Sequence, residues 1–144
     1  MKALSLWQPW AQAVVLGLKT FETRSWSTRH RGRIAIHAAK RAPAPRRGEF
    51  SELYQALRLC GVTREELPLG AIVGLVDVLG VSETQHLGEL SDQQRRWGDF
   101  GPGRFAWRLS DPWRCAPIPL RGRQGLFDLP SETAKALGRA HWGR

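Results

Sequence analysis

Apolar positions in the first quarter of the chain change period twice. Residues 2–6 read as a short strand, after which Trp10, Ala13, Val14 and Gly17 recur at helical spacing. Pro9 falls in the first turn of that helix, where its missing N–H costs nothing, and Gly17 is its stop. Trp10 lies on the apolar stripe, so it reads as core, and core packing is the plain reading of Trp7 as well. From residue 20 the chain reads as a strand, with side chains alternating between its faces. Phe21, Thr23 and Ser25 share one side; Thr20, Glu22, Arg24 and Trp26 share the other, with Lys19 at the entrance. Residues 33–38 form a further predicted strand, with Ile34 and Ile36 facing the core and Arg33, Ala35 and His37 opposite. Pairing of this strand with the one before it would bring His37 near Glu22 and Arg24.

Two prolines in the basic run 40–47 exclude regular structure and predict a loop. Phe50, Leu53, Tyr54 and Leu57 then mark an amphipathic helix ending at Gly61. Thr63 and Glu66, and later Ser91 and Gln94, have capping-box spacing; each pair predicts a short helical turn, the second reaching Trp97. Residues 70–79 are the most apolar run and predict a central buried strand, in which Asp77 must be paired or at a strand end, because burying a lone carboxylate is expensive. Phe105, Trp107 and Leu109 alternate with Arg104, Ala106 and Arg108, a strand with an apolar and a basic side that Asp111-Pro112 is expected to end. A basic turn between Gly122 and Gly125 leads to a short strand at 126–129, and Ser131 caps a last helix with Ala134 and Leu137 inward. Five or six short strands with few helices imply an α+β fold built on a small barrel, which removes exposed sheet edges.

Composition narrows the class. A chain of 144 residues is of single-domain size, so one domain over residues 1–144 is expected. No apolar run approaches a membrane span, and no signal-like block follows Lys2, so a soluble cytoplasmic protein with no membrane partner is expected. Cys60 and Cys115 have no metal-ligand spacing, and there is no phosphate-cradling glycine loop; neither a metal nor a nucleotide cofactor is inferred. The net charge of +9 resides in residues 1–47, which carry ten Lys and Arg against one acid, Glu22. Residues 48–100 sum to −5 and residues 101–144 to +5. If the two basic ends fold onto one side, they give the electrostatic footprint of a nucleic-acid binder.

The stretch 16–26 carries the candidate chemistry, because an acid, a base and an indole occupy successive positions of one strand face. Such a row can hold a planar, hydrogen-bonding ligand. Its plain alternative is a solvent-facing strand with a Glu22–Arg24 surface ion pair, worth about 0–1 kcal/mol.

Three runs together resemble the signature of the ASCH (activating-signal-cointegrator homology) domain: Ser5-Leu6-Trp7-Gln8-Pro9-Trp10-Ala11; Gly17-x-Lys19-x-x-Glu22-x-Arg24-x-Trp26; and Arg31-Gly32-x-x-x-Ile36-His37-Ala38-x-Lys40. The resemblance implies a β-barrel related to the PUA fold and a role in binding RNA or another nucleic acid. It places Lys19, Glu22 and Arg24 in a cleft, with Trp26 and His37 nearby. In such a cleft Lys19 supplies a point charge, Arg24 a planar fork and Glu22 an acceptor for an exocyclic amine. Trp26 or His37 would stack on a base, and Arg29, Arg31, Arg33, Lys40, Arg41, Arg46 and Arg47 would meet the backbone. Some small members of the family resemble amidohydrolases that deacetylate N4-acetylcytidine through a Lys-x-x-Thr arrangement. Glu22 stands at the Thr position here, so an enzyme would instead use Glu22 as a general base, on water or on a ribose 2′-OH, with Lys19 or Arg24 stabilising the oxyanion. Three functions follow as alternatives: a nucleic-acid reader, a hydrolase acting on a modified nucleoside or on RNA through Lys19 and Glu22, and an adaptor whose 40–47 loop meets an acidic protein.

Overall fold

A computed structural model describes residues 1–41, 48 and 50–142. The order of elements is β1 (Lys2–Leu6), α1 (Trp10–Val15), β2 (Phe21–Arg24), β3 (Gly32–Ala38), α2 (Ser51–Leu59), β4 (Ala71–Glu83), α3 (Asp92–Arg96), β5 (Phe105–Pro119), β6 (Leu126–Asp128) and α4 (Ser131–Trp142). The six strands form one sheet in the order β2-β5-β4-β3-β1-β6. This sheet curls into a half-barrel, a small α+β barrel architecture. The prolines and arginines of the 40–47 loop lie outside the described residues from 42 to 47, Arg46 and Arg47 among them.

Both faces of the sheet are covered, which explains why β3 is buried continuously from Ile34 to Ala38 rather than alternately. Ile34, Ile36, Val76, Val78 and Trp107 pack with α1 on one face. On the other, Ala35, Ile72, Leu75 and Phe127 pack with Leu137 of α4. Helix α1 is enclosed on two sides, since Ala13 turns away from the sheet to meet Leu53, Leu57 and Trp97. Gly17 follows with φ +77, the left-handed conformation that ends a helix at least cost on glycine, and so delivers the chain to Lys19.

β4 is the central strand expected, lying between β3 and β5, and Asp77 is paired, 3.5 Å from Arg33 Nε. Two expectations are corrected. β2 pairs with β5, not with β3, so the two predicted neighbours lie far apart in the sheet. The β2–β5 pairing joins residues 81 to 87 positions apart, which local periodicity does not report. Nor does Asp111-Pro112 end β5. Asp111 takes φ +49, and the register jumps from Ser110 opposite Asp77 to Trp113 opposite Leu75, so the dipeptide forms a bulge and the strand runs on to Pro119. A bulge needs no ladder donor from proline.

Among the described residues no helix is long and apolar enough to cross a membrane. The tightest of the described glycines is Gly74, in the middle of β4. A Cβ there would stand 2.1 Å from the Trp113 carbonyl oxygen and 2.8 Å from Val15 Cγ1, so backbone and core would both have to shift. Gly74→Ala is therefore expected to destabilise the protein by about 2–3 kcal/mol or more, an overpacking cost. Thermal unfolding measures it, and an unchanged midpoint would contradict this packing.

Candidate nucleic-acid interface

The site begins where α1 ends. The backbone on either side of Lys19 is clamped by one side chain of α3: Gln94 accepts a hydrogen bond from Thr20 N at 3.1 Å and donates one to Leu18 O at 3.0 Å. Ser91 caps α3 through the Gln94 N–H, as expected, but the Gln94 amide reaches across to this segment instead of back to its own helix. So fixed, Lys19 turns inward and is only 4% exposed. Its ammonium donates to Phe21 O, lies 3.8 Å from Glu22 Oε2 and stands over the Trp10 ring. Burial lowers its pKa; Glu22 pulls upward against that and Arg24 adds to it.

Glu22 is 9% exposed. It is therefore not the exposed partner of Arg24 that a surface strand would carry, and its ion pair is with Lys19. Its Oε1 accepts from Thr23 N at 3.0 Å, whereas Oε2 has no hydrogen bond among the described residues. Arg24 extends from β2 toward β1 and donates through Nη2 to Ser5 O at 2.8 Å, and its buried Nε likewise lacks a partner.

These three side chains line a cleft of about 670 Å³. Trp7, Trp10 and Phe50 contribute to its walls, with Trp10 and Phe50 meeting edge to face at 4.8 Å. Arg96 and Arg104 stand in its lining as well. Arg96 is held by a two-point bond to Glu52 of α2, at 3.0 and 2.9 Å, and Arg104 donates to Thr23 O. A second cavity of about 1170 Å³ adjoins the first. Ser5, Trp7, Arg24 and Ala39 belong to both.

The predicted site residues divide between these spaces. Lys19 and Glu22 line the first; Trp26, His37, Lys40 and Arg41 line the second; Arg24 lines both. Arg29, Arg31 and Arg33 line neither. Arg33 is engaged instead with Asp77 and with the Asp111 carbonyl. His37 does come close to Arg24, but through β1 rather than through β2. Ser5 hydrogen-bonds His37 Nδ1 at 2.9 Å with its hydroxyl, and its carbonyl accepts from Arg24. At 2% exposure, with Nε2 also bonded to Leu120 O at 2.7 Å, the His37 ring is committed inside the fold and offers no face for stacking. Trp26 packs edge to face on buried Trp107 at 4.9 Å.

Sequence reasoning missed three contributors. Trp7 is 54% exposed on the shared wall rather than in the core. Its position between a strand and the Gln8-Pro9 start of α1 was the available signal, because a junction need not follow the apolar stripe. Gln94 and Arg104 carry no local mark that would tie them to residues 18–24. Among the described residues, no group of three His, Cys, Asp or Glu side chains comes together to hold a metal ion.

A curled six-stranded sheet with a polar, aromatic-walled cleft between α1, β2 and α3 defines the class. The ASCH domain profile matches residues 4–126, and the chain belongs to the ASCH domain family. Activating signal cointegrator 1 from Homo sapiens and from Mus musculus are each 42% identical over 135 residues, covering 90% of this chain and 22% of theirs. The chain thus spans about a fifth of the length of these relatives. The crystal structure of ASCH from Zymomonas mobilis aligns with TM-score 0.58 over 94% of this chain and 92% of its own, at 23% identity, and supports the fold.

The buried ammonium gives a pH signature. Unfolded Lys19 has the ordinary pKa of 10.5 and folded Lys19 a lower one, so between the two the unfolded chain binds more protons and stability rises with pH. Below the folded value the desolvation penalty is present in full. Denaturant unfolding from neutral pH toward 10.5 is expected to show this gain in wild type relative to Lys19→Met; parallel profiles would contradict a buried, destabilised charge.

Proposed function

We propose that this ASCH domain binds nucleic acid, with single-stranded or structured RNA as the partner, and holds one base or nucleotide in the Lys19–Glu22–Arg24 cleft. The observation that carries this reading is the division of labour between adjoining cavities. The cleft offers both signs of charge, unspent hydrogen-bonding capacity on Glu22 and Arg24, and aromatic walls. Among the described residues, its neighbour presents cations alone as ionisable lining, His37 aside. A base needs the first set and a phosphate chain the second.

At about 670 Å³ the cleft is of the scale that encloses small ligands. Glu22 accepts from an exocyclic amine of the base, and Arg24 presents its remaining donors to a base edge or a phosphate. Lys19, 3.8 Å from Glu22 Oε2, holds the carboxylate in position. Exposed Trp7 supplies the stacking surface in place of Trp26 and His37, whose rings are occupied within the fold. Arg96 and Arg104 flank the entrance, and Lys40 and Arg41 meet the backbone beyond it.

Fluorescence anisotropy with short single-stranded RNA tests the reading. Affinity should fall as salt rises. Trp7→Ala, at an exposed position where folding is insensitive, should weaken binding by about 1–3 kcal/mol, the range of one base–aromatic stack. Glu22→Gln should change the preference among bases more than the overall affinity. Salt-insensitive binding that ignores Trp7 and Glu22 would remove the basis of the proposal.

One observation favours hydrolysis as a second reading: a buried lysine of lowered pKa sits beside a carboxylate in a cleft. In that case Glu22 activates water, or a ribose 2′-OH, while Lys19 or Arg24 stabilises the developing negative charge. Mass spectrometry of modified nucleosides and short RNAs incubated with the protein distinguishes the two. Loss of one component with wild type and not with Glu22→Gln establishes turnover; an unchanged mixture at high protein concentration rejects it.

A further inference from the structure

The second cavity is built from parts that the cleft does not require. Its floor is β1 and β3, and its far wall is the 120–125 loop between β5 and β6. Two bonds pin that loop at its start, and a third anchors Gly70, which one of them reaches. Leu120 N donates to Gly70 O at 3.0 Å, Gly70 N donates to Ala38 O at 2.8 Å, and Leu120 O accepts from His37 Nε2. Gly122 then lies directly on the imidazole. A Cβ there would stand 2.6 Å from His37 Cε1 and 2.7 Å from Nδ1, so only glycine permits the approach.

With position 122 against His37, Arg121 and Arg123 on either side of it line the cavity, as do Lys40 and Arg41. Arg24 reaches the same space from the shared wall. No carboxylate among the described residues forms a salt bridge with any of these five. Cations from three segments remote in sequence are thus gathered, none of them in a salt bridge with a described residue, and two of them stand on the pinned loop. Repulsion among them is unfavourable unless an anion offsets it. The cavity's volume of about 1170 Å³, and its continuity with the cleft past Arg24 and Trp7, suit a chain of phosphates better than one.

We infer that this cavity is a phosphodiester site for the nucleotides adjoining the one in the cleft, so that the protein's binding unit is an oligonucleotide and Arg121 and Arg123 are its far contacts. The inference rests on the proposed cleft and adds the length and exit path of its ligand. Trp7, exposed where the two cavities meet, lies under the strand as it passes from one to the other.

The test uses the intact chain with adenylate and cytidylate ligands of one, two, four and eight nucleotides, followed by chemical-shift titration for the weak ones and anisotropy for the rest. Wild type should gain tenfold or more in affinity between one nucleotide and four. In Arg121→Glu/Arg123→Glu that gain should be lost, while mononucleotide affinity stays within twofold. Replacing the pair by alanine should shrink the slope of log affinity against log salt for the octamer by about 1.4, for two phosphate contacts to a single strand. Lys135→Glu/Arg139→Glu on α4, exposed and outside both cavities, is the charge-matched control and should leave the length dependence intact. Gly122→Ala, which lifts the loop from His37 without altering charge, should reproduce the loss in part. If the arginine pair follows the wild-type length dependence, or falls no further than the α4 control, the inference is overturned while Glu22-dependent mononucleotide binding leaves the cleft standing. Mononucleotide binding that ignores Glu22 would overturn the cleft instead.

Discussion

Burial of the Lys19 ammonium beside the Glu22 carboxylate is the constraint on which the rest of the site depends. Taking either charge out of water costs several kcal/mol, and removing one partner of a buried pair typically costs about 3–5 kcal/mol. The fold meets that cost with fixed geometry rather than with an ideal ion pair. Gly17 turns the chain inward, Gln94 clamps the backbone before and after Lys19, Phe21 O receives the ammonium, and the Trp10 ring lies beneath it. At 3.8 Å the pair is loose, so Glu22 Oε2 keeps unspent hydrogen-bonding capacity. A buried carboxylate oxygen without a hydrogen bond among the described residues calls for an explanation, and the proposed ligand supplies one.

The same economy governs charge across the whole chain. The excess of cations in residues 1–47 does not end up on one uniform positive face. Arg33 is drawn to Asp77, Lys19 is buried, and Arg29 and Arg31 line neither cavity, Arg31 folding back to donate to Thr28 O and His30 O. Lys40 and Arg41 meet Arg121 and Arg123 from the far end of the chain, brought there because β1 lies between β3 and β6. The expectation that the two basic ends share a side therefore holds at one cavity, by way of strand order. That convergence separates a mixed-charge cleft from a cationic one with Arg24 between them.

Much of the fold was legible because it is local. The strand at 2–6, the helix stopped by Gly17, the central apolar strand and the Ser91 cap each announce themselves within a few residues. The trio Lys19, Glu22 and Arg24 was legible from spacing and family pattern, and it does share one cleft. What escaped was non-local. Nothing in residues 20–26 says that their partner is Phe105 to Arg108, and the turn chemistry of Asp111-Pro112 looks the same at a strand end as at a bulge. His37 shows no local sign of its commitment within the fold, because its two partners, Ser5 and Leu120, lie 32 and 83 residues away. Trp7 was read as core because indoles usually are; the fold spends it instead on the wall where the cavities meet.

The central claim is that the Lys19–Glu22–Arg24 cleft receives a nucleotide, and the tryptophans report on it directly. Trp7, Trp10 and Trp97 line the cleft, whereas Trp113 packs in the core on the sheet's other face. In a nitrogen-15 spectrum titrated with a single-stranded RNA tetranucleotide, the indole N–H signals of the first three should shift together and saturate, with Trp113 unmoved. Saturable binding that shifts none of those three would contradict the account and place the nucleic acid elsewhere on the molecule.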